Sequence, residues 1–313
     1  MKFIMEFINN FIDTVSGVLY QPWCVPLLLL AGGIILTVRS KLIQARLFTE
    51  CFKVITEKPT TKGGISSFGA LMVSTASRVG TGNIIGVATA ICAGGAGAVF
   101  WMWITAIIGG ASAFVESTLA QIYKKRNADG TSYGGPAFYM RDALGQRWLG
   151  VLFSCLIILT YAVGYNMLAA YNLQDTFSVF GFYTKGTTPM IIGAILAVLF
   201  GVIVIGGAKR LTKSTEIMVP FMGILYVLVS LVVLVLNADR LGEMFAMIFE
   251  SAFDFQAIFG GFAGSCMMNG IKRGLYSNEA GMGSAPNAAA TADVSHPAKQ
   301  GLVQMLSVFI DTL

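Results

Sequence analysis

Apolar residues in this chain come in long unbroken runs, not in the strict alternation of half-buried strands. Charge is absent from residues 14–38, 79–115, 148–174, 186–208 and 217–238, and each run is long enough for the roughly 20 apolar residues of a bilayer-crossing helix. The pattern predicts helical spans at 16–38, about 148–172, 188–207 and 214–237. The stretch 64–123 holds only Arg78 and Glu116 and is long enough for two crossings at about 1.5 Å per residue, with Gly94, Gly95 and Gly97 supplying the turn. A short span at about 255–270 and the beginning of another from Gly301 bring the expectation to seven complete crossings and a partial eighth. Between the first two spans, Arg39, Lys41, Arg46, Lys53, Lys58 and Lys62 mix with Leu42, Leu47, Phe52 and Ile55, which predicts a basic amphipathic segment on the membrane surface.

Composition sharpens this into an all-α polytopic membrane protein. Hydrophobic residues make up 55% and charged residues 12%, against roughly 25% charged in soluble domains, and 36 glycines suit helices that approach through small residues. Barrel strands are short and alternating, unlike these runs. The five cysteines form no C-x-x-C pair, so neither a disulfide framework nor a zinc site is expected. The lone histidine, His296, sits in a polar stretch between Asp293 and Lys299 and reads as solvent-exposed. No removable signal peptide is expected at the N-terminus, where Lys2, Glu6 and Asp13 precede the first span without a small-residue cleavage motif. The net charge of +5 does not imply nucleic acid, because the basic residues cluster at the ends of apolar runs. Alternate loops 39–63, 124–147, 208–213 and 271–299 carry six, five, three and three Lys or Arg, whereas the remaining loops and N-terminus hold only Lys2, Lys185 and Arg240. Seventeen against three is a positive-inside bias that places the N-terminus outside.

Candidate chemistry lies where polar residues interrupt apolar runs. Between Ile65 and Gly94, Ser74, Thr75, Ser77, Arg78, Gly80, Thr81, Gly82 and Asn83 cluster together. Two glycines flanking a threonine let a helix unwind, which exposes carbonyls suited to Na⁺ and amide N–H groups suited to a carboxylate. Close packing through small residues accounts for the glycines but not for Arg78 and Asn83. A second interrupted segment is predicted at Phe259–Gly270, through Gly260, Gly261, Gly264, Ser265 and Asn269. Five crossings separate the two, so the second enters from the opposite face, as in an inverted repeat. Arg78 suits a structural or a gating role, Glu116 reads as snorkelling to the edge near Lys124, and the Gly-, Ser- and Ala-rich loop 276–291 reads as a flexible linker by composition.

The residues that carry a resemblance are Gly63-Gly64-Ile65-Ser66-Ser67-Phe68, Arg78-Val79-Gly80-Thr81-Gly82-Asn83-Ile84, Phe100-Trp101-Met102-Trp103, Gly134-Gly135-Pro136 and the long run Tyr276-Ser277-Asn278-Glu279-Ala280-Gly281-Met282-Gly283-Ser284-Ala285-Pro286. Together they resemble the alanine or glycine:cation symporters over nearly the whole chain. Because the family's proteins are considerably longer, the resemblance implies a C-terminally truncated member. It implies a five-plus-five inverted-repeat fold like that of the neurotransmitter:sodium symporters, with residues 1–63 as an extra N-terminal helix and amphipathic segment, 64–237 as the first repeat and 238–313 as an incomplete second repeat. It also implies import of small neutral amino acids coupled to Na⁺, or to H⁺, across the plasma membrane, and upgrades loop 276–291 to a cytoplasmic gate element. Carried over by motif, Gly80, Thr81, Gly82, Asn83, Gly261, Phe262, Ala263, Gly264 and Asn172 would bind substrate, and Thr75, Ala76 and Val79 would supply carbonyls to the cation. Alanine carriers of the family show a glutamine two positions before an asparagine in the fourth span; with Asn172 as that asparagine, Ala170 replaces the glutamine, which implies room for a somewhat larger neutral side chain.

Three function classes remain comparable on residues alone. A carrier needs broken helices around a central site, which the sequence supplies. A channel needs a continuous polar pore, and no ring of like charges is visible. An enzyme needs acid, base or metal ligands inside the spans, where only Glu116 and Arg78 are available, so neither catalytic residues nor an enzymatic cofactor is expected. A non-transporting membrane fragment is the remaining alternative.

Overall fold

The computed structural model describes residues 2–59, 61, 64–128, 130–261 and 265–313, and is almost wholly helical. In chain order the helices are α1 (Lys2–Leu19), α2 (Val25–Arg39), α3 (Ile43–Arg46), α4 (Phe48–Ile55), α5 (Ser67–Arg78), α6 (Thr81–Gly94) and α7 (Gly97–Ile122), followed by a two-stranded hairpin of β1 (Lys125–Arg126) and β2 (Ser132–Tyr133). Then come α8 (Pro136–Asp142), α9 (Arg147–Ile158), which continues through a π-helical stretch Leu159–Tyr165 into α10 (Asn166–Asp175), α11 (Thr188–Ile205) and α12 (Gly207–Leu236). The remainder is α13 (Leu241–Ala252), α14 (Phe255–Gly260), α15 (Cys266–Asn278), α16 (Ala285–Thr291) and α17 (Pro297–Thr312). Among the described residues, four helices are long and apolar enough to cross a bilayer unaided: α7, the composite 147–179, α11 and α12. The protein is a multi-pass membrane protein.

Against the seven complete crossings expected, four described helices have the length and hydropathy for one; the other departures lie at the boundaries. The expected first span at 16–38 is two helices, because the chain turns at 20–24 before Pro26 starts a new one. The 208–213 loop is instead the opening of α12, whose first turns carry Lys209, Arg210 and Lys213 and reach Leu236 past an internal Pro220. The basic segment does form short helices, α3 and α4. Their apolar face, however, packs inward: Ile43, Cys51 and Val54 are buried against Leu71, Met72, Val219, Leu302 and Met305. Covering protein surface removes as much apolar area from water as lying on lipid would.

Helix α7 is the centre of the assembly. Half of its apolar window is buried, against none of that of α11, and glycines on its neighbours set the approach. A Cβ at Gly270 of α15 would run into the Ala98 carbonyl and lie 2.7 Å from the Trp101 Cβ, and one at Gly301 of α17 would lie 2.7 Å from the Phe114 carbonyl. Side chains larger than hydrogen at these positions would push the backbones apart, as small-residue packing between membrane helices requires.

Two ends of the molecule can be told apart by contact alone. At one, Asp293 accepts from the Thr61 amide and hydroxyl, Gln121 donates to the Ala289 and Ala292 carbonyls, Lys124 donates to Ala292, Arg126 faces Asp293 and Lys299 pairs with Glu57. Glu57 and Thr61 therefore meet residues 121–126 and 289–299 there, and the foot of α12 joins them through Thr212 and Glu216, which pack on Gly69. At the other end the α6–α7 turn, with Gly95 at φ +87°, packs on Ser251, Trp101 donates to the Ala252 carbonyl and Cys266 to that of Ser251.

The glycine geometry yields a paired expectation. Gly270→Ala overpacks the α7–α15 contact and lowers stability by about 1–3 kcal/mol, read as a drop in thermal midpoint in detergent. Gly193→Ala on α11, where nothing lies within 4 Å of the added Cβ, leaves the midpoint unchanged; equal effects at both sites would show that the α7–α15 approach is not tight.

Candidate functional site

Helices α5 and α6 are one broken helix. Val79 leaves the helical region at φ −73°, ψ 102° and Gly80 follows at φ −167°, ψ −143°, so the interruption falls on 79–80 and Gly82 and Asn83 lie in the first turn of α6. Breaking a helix here strands carbonyls at the end of α5 and N–H groups at the start of α6.

The expected interruption at 259–270 coincides with the gap between α14, which ends at Gly260, and α15, which begins at Cys266, with 262–264 outside the described residues; the broken helix that faces the first is interrupted farther on. Helix α15 is continuous from Cys266 to Asn278; the chain then passes through Glu279 at φ +51°, Gly281 at +84° and Gly283 at +82° before α16 begins at Ala285. Gly94 lies beside Cys266 and Asn269, Gly86 beside Arg273 and Gly82 beside Tyr276, so α15 runs antiparallel to α6. At the other end Asp293, just after α16, donates its amide to the Ile65 carbonyl, just before α5. The interruptions at 79–80 and 279–284 thus lie level, across from one another. Lys272 and Arg273, counted above with a loop, belong to α15 and lie on the side of the α6–α7 turn.

Between the breaks stands the end of α17. Asn83 Nδ2 donates to Asp311 Oδ1 at 2.6 Å and to the Asp311 carbonyl at 2.8 Å. Ser277 Oγ, on the last turn of α15, donates to Asp311 Oδ2 at 3.1 Å, and Thr312 Oγ1 donates to the same oxygen at 2.8 Å. Across the second break, Glu279 accepts from Ser284 at 2.6 Å and from Ser77 of α5 at 3.4 Å. Helix by helix, the carboxylate of Asp311 joins α6, α15 and α17, and that of Glu279 joins α5 to the start of α16.

Arg78 closes α5 and is 3% exposed. Its Nη1 approaches the Gln304 carbonyl at 3.4 Å, its Nε and Nη2 have no hydrogen-bond partner, and it makes no ion pair among the described residues. Glu116, expected at the membrane edge, is instead 8% exposed and accepts from the Gly281 amide at 3.3 Å, within the second break. A cavity of about 780 Å³ opens beside the breaks, lined by Ala76, Val79, Gly80, Gly82, Arg78 and Glu279, and walled by Tyr161, Tyr165 and Asn166 of the π-helical stretch and α10. π-helical stretches re-aim side chains and recur at functional sites.

Of the residues expected at the site, Gly80, Gly82, Ala76 and Val79 line this cavity, Asn83 holds Asp311, and Thr75 meets Ser307 of α17 at 3.3 Å. Thr81 is the first residue of α6. Gly261 is exposed beyond the start of α15 and does not line the cavity, and Phe262, Ala263 and Gly264, like Gly63, lie outside the described residues. Asn172 is farther along α10, and Ala170 lines a separate cavity of about 590 Å³ with Gln174 and Tyr183; Asn166 and Ala169 take the positions facing the break. The sequence reading passed over Asp311 altogether. A usable signal was present in Gln300, Gln304, Ser307 and Asp311, whose spacing of four, three and four puts them on one helix face, the first three fully buried.

The sequence profile of the sodium:alanine symporter family matches residues 5–313. The chain belongs to the sodium:alanine symporter family. Within this family it is 47% identical over 288 residues to the probable sodium/glutamine symporter GlnT of Bacillus subtilis, covering 91% of this chain and 59% of the relative. It is 45% identical to the putative sodium/proton-dependent alanine carrier YrbD of the same organism, covering 97% and 62%, and 39% identical to the sodium/alanine symporter AgcS of Methanococcus maripaludis, covering 99% and 68%. This symporter-family chain therefore spans about 60% of the length of the first two relatives.

The Asn83–Asp311 contact has a measurable consequence. Asn83→Ala leaves a largely buried carboxylate without its nearest donor and costs about 1–3 kcal/mol, seen as a lowered unfolding midpoint in detergent. An unchanged midpoint would mean that the carboxylate finds other donors and that Asn83 does not hold it.

Proposed function

We propose that the protein is a secondary active transporter that carries small neutral amino acids inward across the cytoplasmic membrane, driven by Na⁺ through alternating access. The observation that carries this reading is the pair of antiparallel broken helices with level interruptions around Asp311. Such pairs are the hallmark of inverted-repeat carriers, where half-helix N-termini face the substrate carboxylate and freed carbonyls and side-chain oxygens hold the cation. On this reading residues 64–237 form the first five-helix repeat, 238–313 begin its inverted counterpart, and 1–63 precede both.

Roles follow from chemistry. Na⁺ is a hard cation that takes oxygen ligands, and the oxygens of Asp311, Asn83 and Ser277, with carbonyls freed at the end of α5 near Thr75, Ala76 and Val79, supply them. The N–H groups at the start of α6, at Thr81 and Gly82, point their partial positive charge toward a substrate carboxylate. Glu279 and the Tyr161 and Tyr165 walls take the ammonium and side chain. Lys124, Arg126 and Lys299 at the Thr61 end support a cytoplasmic placement of that end, with the N-terminus outside. Substrate and cation binding together bias the rocking of one repeat against the other, since neither filled site alone neutralises the charges gathered at the breaks.

The test is uptake of labelled alanine by proteoliposomes holding the protein under an imposed Na⁺ gradient. Saturable, Na⁺-dependent uptake is expected, and Asp311→Asn, which keeps an oxygen for Asn83 while removing the charge, reduces the Na⁺ dependence by about tenfold or more, the equivalent of about 1.4 kcal/mol in cation affinity. Uptake linear in substrate would point to a channel, and equal rates with a proton gradient alone would assign the driving force to H⁺.

A further inference from the structure

Beyond the central cavity, the far half of α15 carries two cations for which neither the breaks nor the cation cluster has a use. Lys272 and Arg273 are half-buried, and among the described residues neither is within ion-pair distance of a carboxylate. They line a cavity of about 300 Å³ with Tyr20, Thr89, Asn269 and Tyr276, on the side of the α6–α7 turn. Tyr276 lines both this smaller cavity and the central one. Its ring therefore forms part of the wall between them.

Two contacts brace that wall. The Arg273 guanidinium carbon stands 5.4 Å from the centroid of the Tyr276 ring, within cation–π range, and Tyr165 meets the same ring edge-on at 5.9 Å between centroids. Helix α6 makes room for the guanidinium by presenting Gly86, where a Cβ would lie 2.8 Å from Arg273 Nη1. Gly86 and Arg273 therefore fit one another as socket and plug.

We propose that Lys272 and Arg273 form an entry subsite that binds the carboxylate of an incoming amino acid, and that Arg273 stacked on Tyr276 is the lid separating this vestibule from the central cavity. The inference rests on the transport reading above and adds to it a second substrate position. An amino-acid carboxylate is the chemistry that two adjacent, unneutralised cations in a small cavity select, and a bidentate guanidinium–carboxylate pair would compete with the ring for Arg273. Substrate arrival thereby loosens the stack that closes the way in.

Cysteine modification tests both parts. In a background with Cys24, Cys92 and Cys155 replaced by serine, Thr89→Cys reports on the vestibule and Ala169→Cys on the central cavity, and right-side-out vesicles receive an impermeant anionic thiosulfonate. Thr89→Cys should react quickly and be protected by alanine but not by alaninamide, which lacks the carboxylate, and Lys272→Gln with Arg273→Gln should remove that protection. Ala169→Cys should react slowly, and about tenfold faster once Arg273→Ala removes the cation–π contact; fast reaction at Thr89→Cys in the same variant verifies the fold. Equal protection by alaninamide overturns the subsite, and an unchanged rate at Ala169→Cys overturns the lid. If the labelling pattern holds while Na⁺-driven uptake is absent, the transport reading falls and the gated vestibule stands.

Discussion

Everything around the centre of this protein follows from backbone polar groups that cannot be left unpaired in a bilayer. An intact helix satisfies its own N–H and C=O groups; a broken one does not, and hydrocarbon offers no substitute. The chain breaks two helices at the same level and sets them antiparallel, so the carbonyl-rich end of α5 lies beside the N–H-rich start of α16, and the end of α15 beside the start of α6. Opposed partial charges of helix ends stabilise one another at short range. Asp311 and Glu279 complete the arrangement by bringing full charge to where only half-charges existed, each with hydroxyl or amide donors on two sides.

The same constraint explains why α7 is buried while α11 and α12 are not. Broken helices are poor at shielding their own backbone, so they need an intact neighbour along their length, and α7 runs beside α15 from Ala98 opposite Gly270 to Gly109 opposite Asn278. It runs beside α17 in the opposite sense, with Gly110 on Met305 and Phe114 on Gly301. The unbroken, strongly apolar helices satisfy their backbones internally and can show their side chains to lipid on most sides.

Which of this could be read from sequence depended on contrast with the surroundings. The first break was legible because Arg78, Gly80 and Asn83 interrupt an otherwise apolar run. The second was not, because α15 itself is polar: Asn269, Lys272, Arg273, Ser277 and Asn278 give it no apolar run to interrupt, and Glu279 to Ser284 then resemble an ordinary linker. Hydropathy marked instead the gap between α14 and α15, at Gly260 and Gly261, where glycines sit inside an apolar stretch. Only the match of residues 276–286 to family sequences marked that segment as special, and it named no geometry. Asp311 was hidden for the opposite reason, as a single carboxylate on a helix whose polar stripe turns inward toward α5 and not outward to water.

Glu279 combines backbone strain with contacts to both broken helices. A non-glycine residue at φ +51° costs about 1–2 kcal/mol relative to glycine, and glycine is used two and four residues later, at Gly281 and Gly283, where the chain again needs positive φ. Glycine at 279 would relieve the backbone but leave Ser77 and Ser284 without their shared acceptor. Strain of this size persists where surrounding contacts over-determine it, and here the contacts come from both broken helices. Moving α16 away from α5 would lengthen the Ser77–Glu279 bond first, since at 3.4 Å it is already the weakest of the set, while the 2.6 Å bond to Ser284 travels with the second helix. Glu279 is therefore held by one strong bond within the second broken helix and one weak bond across to the first, so its contact with α5 is the one that a shift of α16 would stretch.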